Sequence, residues 1–224
     1  MPCVEPKVLY EDNHLLVIDK PAGLLSQGDA SQSDSALDWG KRYIATRYNK
    51  PGAVFLGLVH RLDRPVSGVM VLARTSKAAA RLSEAFRSRQ TEKTYRALVA
   101  PPPRREVDTL RHLLVPASEG VPTRIVEEET AGSQSAVLHY QTLRPHRLGT
   151  ELEIRLETGR KHQIRAQLSH MGSPILGDHR YGSRTPYIPD RIALHAFRIT
   201  FPHPIGGTET TLVSVPPWGQ GSPE

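Results

Sequence analysis

The sequence has few of the features that cross-link a chain or embed it in a membrane. Its 224 residues include one cysteine, Cys3, so an internal disulfide is excluded and a reducing compartment is expected. No uncharged apolar run approaches the roughly 20 residues that span a bilayer. The N-terminus also lacks the basic and apolar segments of a signal peptide. We therefore expect a cytoplasmic protein with no membrane partner.

Motifs for metals and cofactors are also missing from the sequence. No spacing of Cys and His is typical of a zinc site. Neither a phosphate-binding loop nor a dinucleotide-binding glycine motif is present, and the GxSxG turn of serine hydrolases is absent. These absences predict a protein that works without a metal or a cofactor.

Arginine is the residue type that the sequence has in excess. The net charge is +6, and arginine outnumbers lysine by 22 to 7. Residues 158–198, hereafter the basic segment, contain seven Lys or Arg against two Asp or Glu. Arginine binds phosphates and stacks on bases, so this clustering favours a nucleic acid as partner. A GC-rich genome is an alternative explanation for the arginine bias alone, but it does not explain the clustering.

The apolar pattern predicts an α+β fold. Two short apolar runs around a polar turn, within residues 7–20, indicate a hairpin. Helices are predicted at 36–48, 76–89 and 160–171, the second of them capped by Ser76. Further strands are predicted at 54–58, 69–73, 94–100, 136–143, 150–157 and 192–201.

The segments between these elements are predicted as loops. Residues 28–35 are small and polar, which is typical of a mobile loop. The Pro-rich residues 101–132 indicate short edge strands, surface loops and a subdomain junction. We otherwise expect residues 1–219 to form a single domain and residues 220–224 to be a disordered tail.

Asp63 is the first candidate for chemistry. It lies in a short charged stretch between two apolar strands, with Arg61 and Arg64 on either side. A neighbouring cation keeps a carboxylate ionised even when it is partly desolvated, and an ionised Asp can be a nucleophile or a base. The alternative is a structural salt bridge across a tight turn.

A second candidate site begins where a strand ends at Thr158 and Gly159. Arg160, Lys161 and Arg165 then fall within two turns of a predicted helix start. The positive end of the helix dipole disfavours cations there, so an external or tertiary anion is needed. RNA phosphate or a buried Asp would supply it, and a solvated charged face is the alternative. Another residue of interest, the strand residue Tyr95, is on its own more typical of a core.

Residues 60–68 (HRLDRPVSG) resemble the signature of the RluA-type RNA pseudouridine synthases. The resemblance extends from about residue 7 to residue 203. It departs from the common pattern at Val66, at Gln167 and at residues 24–29 (LLSQGD). Other matching motifs are, in chain order, 20–23 (KPAG), 92–95 (EKTY), 158–165 (TGRKHQIR), 174–178 (PILGD) and 194–196 (LHA).

The resemblance implies an isomerase that converts a uridine of structured ribosomal or transfer RNA into pseudouridine. Asp63 would be the catalytic aspartate, acting on C1′ or on the C2′ proton. Tyr95 would stack on the target base, and Arg165 would pair with Asp63. The implied fold is a mainly antiparallel sheet in two halves around a central active-site cleft, flanked by a few helices. The implied enzyme is a monomer that needs no cofactor or metal.

RNA contacts are also implied by the resemblance. Arg61 would replace the flipped uridine in the RNA helix, and Leu194 would pack beside the base. Further RNA-binding residues would be His60, Arg160, Lys161, His162 and Gln163.

Two other functions compete with this interpretation. A non-catalytic RNA-binding or ribosome-assembly factor could use the same scaffold, although a pure binder has no reason to bury an anion where RNA lands. A glycosidase-like hydrolase would need two carboxylates about 5–10 Å apart, and only one lies in a motif.

The basic segment makes RNA affinity sensitive to salt. Arg165 is assigned to Asp63, and one helix side is apolar, so about three to five cations can reach phosphates. At roughly 0.7–0.9 per neutralised phosphate, the log–log slope of affinity against salt should be about −2 to −4.5. A salt titration of RNA binding measures it, and a slope near zero would contradict the assignment.

Overall fold

The computed structural model describes residues 5–28, 34–118 and 121–219. The chain divides into two compact units, of which the first is Met1–Glu92 with Ala196–Glu224 and the second is Lys93–His195. Most of the predicted loop at 28–35 and the predicted tail at 220–224 lie outside the described residues.

Strands and helices alternate irregularly along the described chain. Helices α1 (Ala36–Arg47), α2 (Ser76–Arg87) and α3 (Gln163–His170) are accompanied by a 3-10 helix, His179–Tyr181. The strands are β1 (Lys7–Glu11), β2 (Leu15–Lys20), β3 (Gly57–Leu58), β4 (Ser67–Ala73), β5 (Glu92–Val99), β6 (Val107–Val115), β7 (Arg124–Val126), β8 (Gln134–His146), β9 (Gly149–Leu156), β10 (Leu194–Pro202) and β11 (Glu209–Val213).

The first unit is organised around two strands that are buried on both faces. The strand order is β1-β2-β4-β10, with β3 beside β4 and β11 beside β10. On one face Val17 and Val71 pack with Leu82 of α2 and Phe201 of β10. On the other face Gly40 of α1 comes close to side chains of both strands. Burial on both sides explains why β2 and β4 are continuous apolar runs rather than alternating ones.

The second unit is an antiparallel sheet with α3 against it. Its order is β5-β9-β8-β6-β7. Leu114 of β6, Ala136 of β8 and Ala166 of α3 form its buried cluster together with Tyr181. With eleven strands and three α-helices among the described residues, the predicted α+β class is confirmed.

Residues 101–132 differ from the prediction. Strand β6 has nine residues and lies between β8 and β7, so it is not an edge strand. Only β7, with three residues, fits the predicted short edge. The boundaries of the two units fall at 92/93 and 195/196, outside 101–132, because β6 and β7 are paired into one sheet.

Helix starts also differ from the prediction. The side chain of Thr75, not Ser76, accepts the hydrogen bond from Ala78 N at 3.2 Å, and α2 ends at Arg87 rather than at residue 89. Helix α3 begins at Gln163 and not at residue 160, because His162 has the left-handed φ of 56°. Two of the predicted helix-start cations therefore precede the helix.

The predicted hairpin at residues 7–20 is confirmed. Strands β1 and β2 pair antiparallel. Asp12 shapes the turn between them, since its carboxylate accepts from His14 N and Leu15 N, each at 2.7 Å. Among the described residues, no helix is long and apolar enough to cross a membrane.

Gly68 on β4 is a point where only glycine fits. Its φ is +116°, and an added Cβ would lie 2.3 Å from the carbonyl oxygen of Ala196. We expect Gly68→Ala to lower the free energy of unfolding by about 3 kcal/mol or more, from backbone strain and overpacking together. Gly23→Ala is the control, because Gly23 has φ +95° but open space around it, and should lose only about 1–2 kcal/mol. Urea unfolding distinguishes the two, and equal losses would contradict the packing argument.

Candidate active site

Asp63 lies in a tight turn between β3 and β4, and the chain on both sides of it is held. The carbonyl of Asp63 accepts from Val66 N at 3.0 Å. Before it, Leu62 N donates to Ser26 Oγ at 3.0 Å, and that hydroxyl donates back to Leu62 O at 2.6 Å. After it, Gly23 N donates to Arg64 O at 2.7 Å, and Arg64 Nε donates to Gly23 O at 3.1 Å. The segment that carries the KPAG motif therefore fixes the aspartate turn.

Lys20 places a buried amino group next to this turn. Its side chain is fully buried, and Nζ donates to Pro21 O at 2.9 Å and to Leu24 O at 2.8 Å, with Arg64 O at 3.5 Å. Burial lowers the pKa of Lys20 to about 7, while the nearby charges of Asp63 and Asp19 raise it. An electrostatic partner thus comes to Asp63 from its own unit.

His60 and Arg61 precede the aspartate in different environments. His60 Nε2 accepts from Val71 N at 2.9 Å, and its ring stacks on Phe86 with centroids 4.9 Å apart. His60 therefore accepts a hydrogen bond from β4, and its predicted contact with RNA stays a prediction. Arg61 is exposed, and its predicted role in the RNA helix stays a prediction.

The second unit holds Arg165 at the centre of a buried cluster. Arg165 Nε donates to Asp178 Oδ2 at 2.7 Å, and one terminal nitrogen donates to Asp178 Oδ1 at 2.8 Å. The guanidinium carbon lies 4.8 Å from the centre of the Tyr181 ring. The sequence predicts an anion near Arg160, Lys161 and Arg165, and Asp178 is such an anion for Arg165. The predicted pairing of Arg165 with Asp63 stays a prediction.

The turn before α3 is built around Gln163. Its Oε1 accepts from Thr158 Oγ1 at 2.8 Å and from Arg160 N at 3.0 Å, and its Nε2 donates to Val137 O at 3.1 Å. The side chain is 3% exposed. Gln163 therefore shapes the turn, and its predicted contact with RNA stays a prediction.

The three basic residues before Gln163 lie in different environments. Lys161 is exposed, and Arg160 Nε donates to Ser135 O at 3.1 Å. His162 is half-buried, and its Nδ1 shares a hydrogen bond of 2.8 Å with the Tyr181 hydroxyl. Their predicted contacts with RNA remain predictions.

Tyr95 and Leu194 lie on strands of this part of the chain. Tyr95 is half-buried on β5, opposite Ile154 of β9, so its ring is not sealed inside a core. Leu194 opens β10 and is 3% exposed. These positions are compatible with the predicted contacts to a base, which stay untested.

Comparison with known proteins agrees with the sequence motifs. The family model described as RNA pseudouridylate synthase matches residues 14–170. The chain belongs to the RNA pseudouridylate synthase family. Ribosomal large subunit pseudouridine synthase D of Xanthomonas campestris is 36% identical over 89% of this chain and 62% of its own length. The enzyme of the same name from Pseudomonas aeruginosa is 34% identical over 91% of this chain and 66% of its own length.

Solved structures of pseudouridylate synthase domains share the fold. The human protein called RNA pseudouridylate synthase domain containing 4 superposes with a TM-score of 0.77 and 28% identity. The match covers 94% of this chain and 88% of the human one. The pseudouridine synthase fold expected from the resemblance is therefore confirmed. The chain spans less than two thirds of the length of the bacterial synthases named above.

Four residues of the clusters described above, two in each unit, were missed by sequence reasoning. Lys20 and Asp178 lay in the matched KPAG and PILGD motifs, which signalled their segments but not their partners. Ser26 and Tyr181 carried no signal, because their roles depend on long-range hydrogen bonds. Within the described residues, no three His, Cys, Asp or Glu side chains are placed to hold a metal ion.

The buried Lys20 makes the stability of this synthase-family chain depend on pH. The unfolded chain keeps this lysine charged up to about pH 10.4, whereas the folded protein loses the proton near pH 7. The unfolded state therefore binds more protons between these values. The free energy of unfolding should gain up to about 1.4 kcal/mol per pH unit from this group as pH rises.

Lys20→Met removes this contribution. Urea unfolding at pH 7, 8 and 9 should show the wild type gaining stability relative to Lys20→Met at each step. Lys50→Met is the control, since Lys50 is exposed, and should follow the wild type. A constant difference between wild type and Lys20→Met would mean that the three carbonyl oxygens keep the ammonium charged.

Proposed function

We propose that this protein isomerises uridine to pseudouridine in RNA, with Asp63 as the reacting carboxylate. The observation that carries the proposal is the held Asp63 turn above the buried Lys20, in a chain that belongs to the pseudouridylate synthase family. A carboxylate whose chain is fixed on both sides is aimed at one place, as a nucleophile or a base must be.

The reaction exchanges one glycosidic bond for another. The N1–C1′ bond of the uridine breaks, the uracil turns, and a C5–C1′ bond forms. The hydrogen on C5 leaves as a proton, and N1 takes up a proton, so substrate and product are isomers. Asp63 begins the reaction either by attacking C1′ or by removing the C2′ proton, and both routes use the same ionised carboxylate.

The second unit would supply binding to the substrate. A uridine in folded RNA must be unstacked at a cost of a few kcal/mol. Stacking on Tyr95 would return about 1–3 kcal/mol. Arg165 would be a further catalytic residue, and exposed cations of the basic segment such as Lys161 would contact phosphates without reading sequence.

Ribosomal RNA of the large subunit is the substrate that we propose first. The bacterial relatives are named for that target, and the basic segment suits a structured RNA. We further propose that the protein acts as a monomer in the cytoplasm, where ribosomes are, with neither metal nor cofactor. The alternative substrate is transfer RNA, and mapping of pseudouridine in cellular RNA distinguishes the two.

Asp63→Asn tests the proposed reaction. Loss of the carboxylate should lower single-turnover pseudouridine formation by on the order of 10⁴–10⁶, while RNA affinity stays within about threefold. Tritium release from RNA labelled at C5 of uridine measures the rate, and filter binding measures the affinity. Asp108→Asn is the control, because Asp108 forms a surface ion pair with Arg105.

The substrate is found by mapping pseudouridine across total RNA from cells with and without the gene. A position that disappears with the gene and returns with wild type, but not with Asp63→Asn, identifies the target. Activity of Asp63→Asn within about tenfold of wild type would contradict the assignment of Asp63. RNA binding with no pseudouridine formed by the wild type would favour the non-catalytic alternative.

A further inference from the structure

We propose that Asp178 and Tyr181 are positioning residues for Arg165, and that the Tyr181 hydroxyl links Arg165 to the turn formed by Arg160, Lys161 and His162. This inference rests on the proposed function, in which Arg165 is a catalytic residue. It concerns contacts within the second unit only.

The contact of Asp178 fixes the plane of the Arg165 guanidinium. It is bidentate, with distances of 2.7 and 2.8 Å, and the two side chains are 1% and 7% exposed. Such a fork geometry sets both the position and the rotation of the guanidinium. Asp178 engages Nε and one terminal nitrogen, so a group with five donors can hold a second acceptor in the same plane.

The Tyr181 ring lies against the same guanidinium. Its ring centre lies 4.8 Å from the guanidinium carbon of Arg165, within the range of a cation–π contact. The bidentate contact with Asp178 and the neighbouring Tyr181 ring together restrict the orientation of the Arg165 guanidinium.

Both positioning residues come from one rigid turn. Asp178 directly precedes the 3-10 helix that ends at Tyr181, and Tyr181 N donates to Asp178 O at 2.9 Å. The turn is tied to β5 through Leu176 N, which donates to Leu98 O at 3.0 Å, and to α3 through Ser169 Oγ, which donates to Tyr181 O at 2.6 Å.

The Tyr181 hydroxyl connects this cluster to the turn before α3. It accepts from Thr123 N at 3.0 Å and shares a hydrogen bond of 2.8 Å with His162 Nδ1. Thr123 Oγ1 in turn donates to Lys161 O at 3.0 Å. A displacement of His162 or Lys161 by RNA phosphates would therefore reach Tyr181 and the guanidinium above it.

A buried ion pair is a poor device for stability alone. Replacing such a pair by apolar residues is often neutral or stabilising, whereas the pair fixes geometry that apolar packing leaves loose. A guanidinium held on two sides is pre-organised for an anion. A role of Asp178 in positioning Arg165 therefore explains the buried ion pair better than a contribution to packing does.

A double-mutant cycle separates positioning from packing. Asp178→Asn should lower the single-turnover rate by about 10–100-fold, with RNA affinity within about threefold. In an Arg165→Met background, Asp178→Asn should change the rate by less than about twofold, because its effect passes through Arg165. Glu151→Gln is the matched control, since this buried carboxylate accepts from Arg144 Nε at 2.8 Å, and should leave the rate unchanged.

Tyr181 gives a second arm, which serves if Asp178→Asn does not fold. Tyr181→Phe keeps the ring and should retain the rate within about threefold, with RNA affinity weakened by the loss of the His162 contact. Tyr181→Leu should lose about tenfold or more in rate, again not additively with Arg165→Met. Additive losses in either cycle would overturn the proposal.

The ¹⁵Nε–H NMR signal of Arg165 is a readout that does not depend on activity. The wild type should show it slow to exchange and shifted from free arginine, and Asp178→Asn and Tyr181→Leu should lose that protection. If the wild type forms no pseudouridine, the proposed function fails while this measurement still decides the positioning role. An unchanged Arg165 signal in both variants would overturn it.

Discussion

The burial of one ammonium group is the constraint on which the candidate site depends. Lys20 has no access to water, so the chain must bring carbonyl oxygens to its Nζ. Those carbonyls belong to the segment after β2 and to Arg64, which forces the two segments together. The turn that carries Asp63 is therefore held next to carbonyl groups that accept hydrogen bonds from a buried amino group.

The second unit solves a similar problem with a different partner. Arg165 is as inaccessible as a core residue, and a carboxylate rather than a set of carbonyls accepts its hydrogen bonds. The two solutions differ in what they fix. Carbonyls around an ammonium leave it free to rotate, whereas the Asp178 fork sets the plane of a guanidinium.

Much of the fold could be predicted from the sequence, because apolar periodicity reports burial directly. The hairpin and the doubly buried strands were predicted for that reason, and motif order indicated the family. The start of α3 could not be predicted, because the left-handed His162 depends on the hydrogen bonds of Gln163 with Thr158 and Arg160. The carbonyl partners of Lys20 and the pairing of Arg165 with Asp178 were missed for a related reason. Contacts between distant segments produce no periodic pattern in the sequence.

The division of the chain has a consequence for its synthesis. The first unit takes its strands from both ends of the sequence, and its core needs Ile199 and Phe201 of β10. While the ribosome is still making residues 93–195, the apolar side chains of β2 and β4 that pack against β10 remain uncovered. The second unit is contiguous and can fold as it emerges. A nascent chain halted before β10 is therefore the form most exposed to aggregation and most in need of a chaperone.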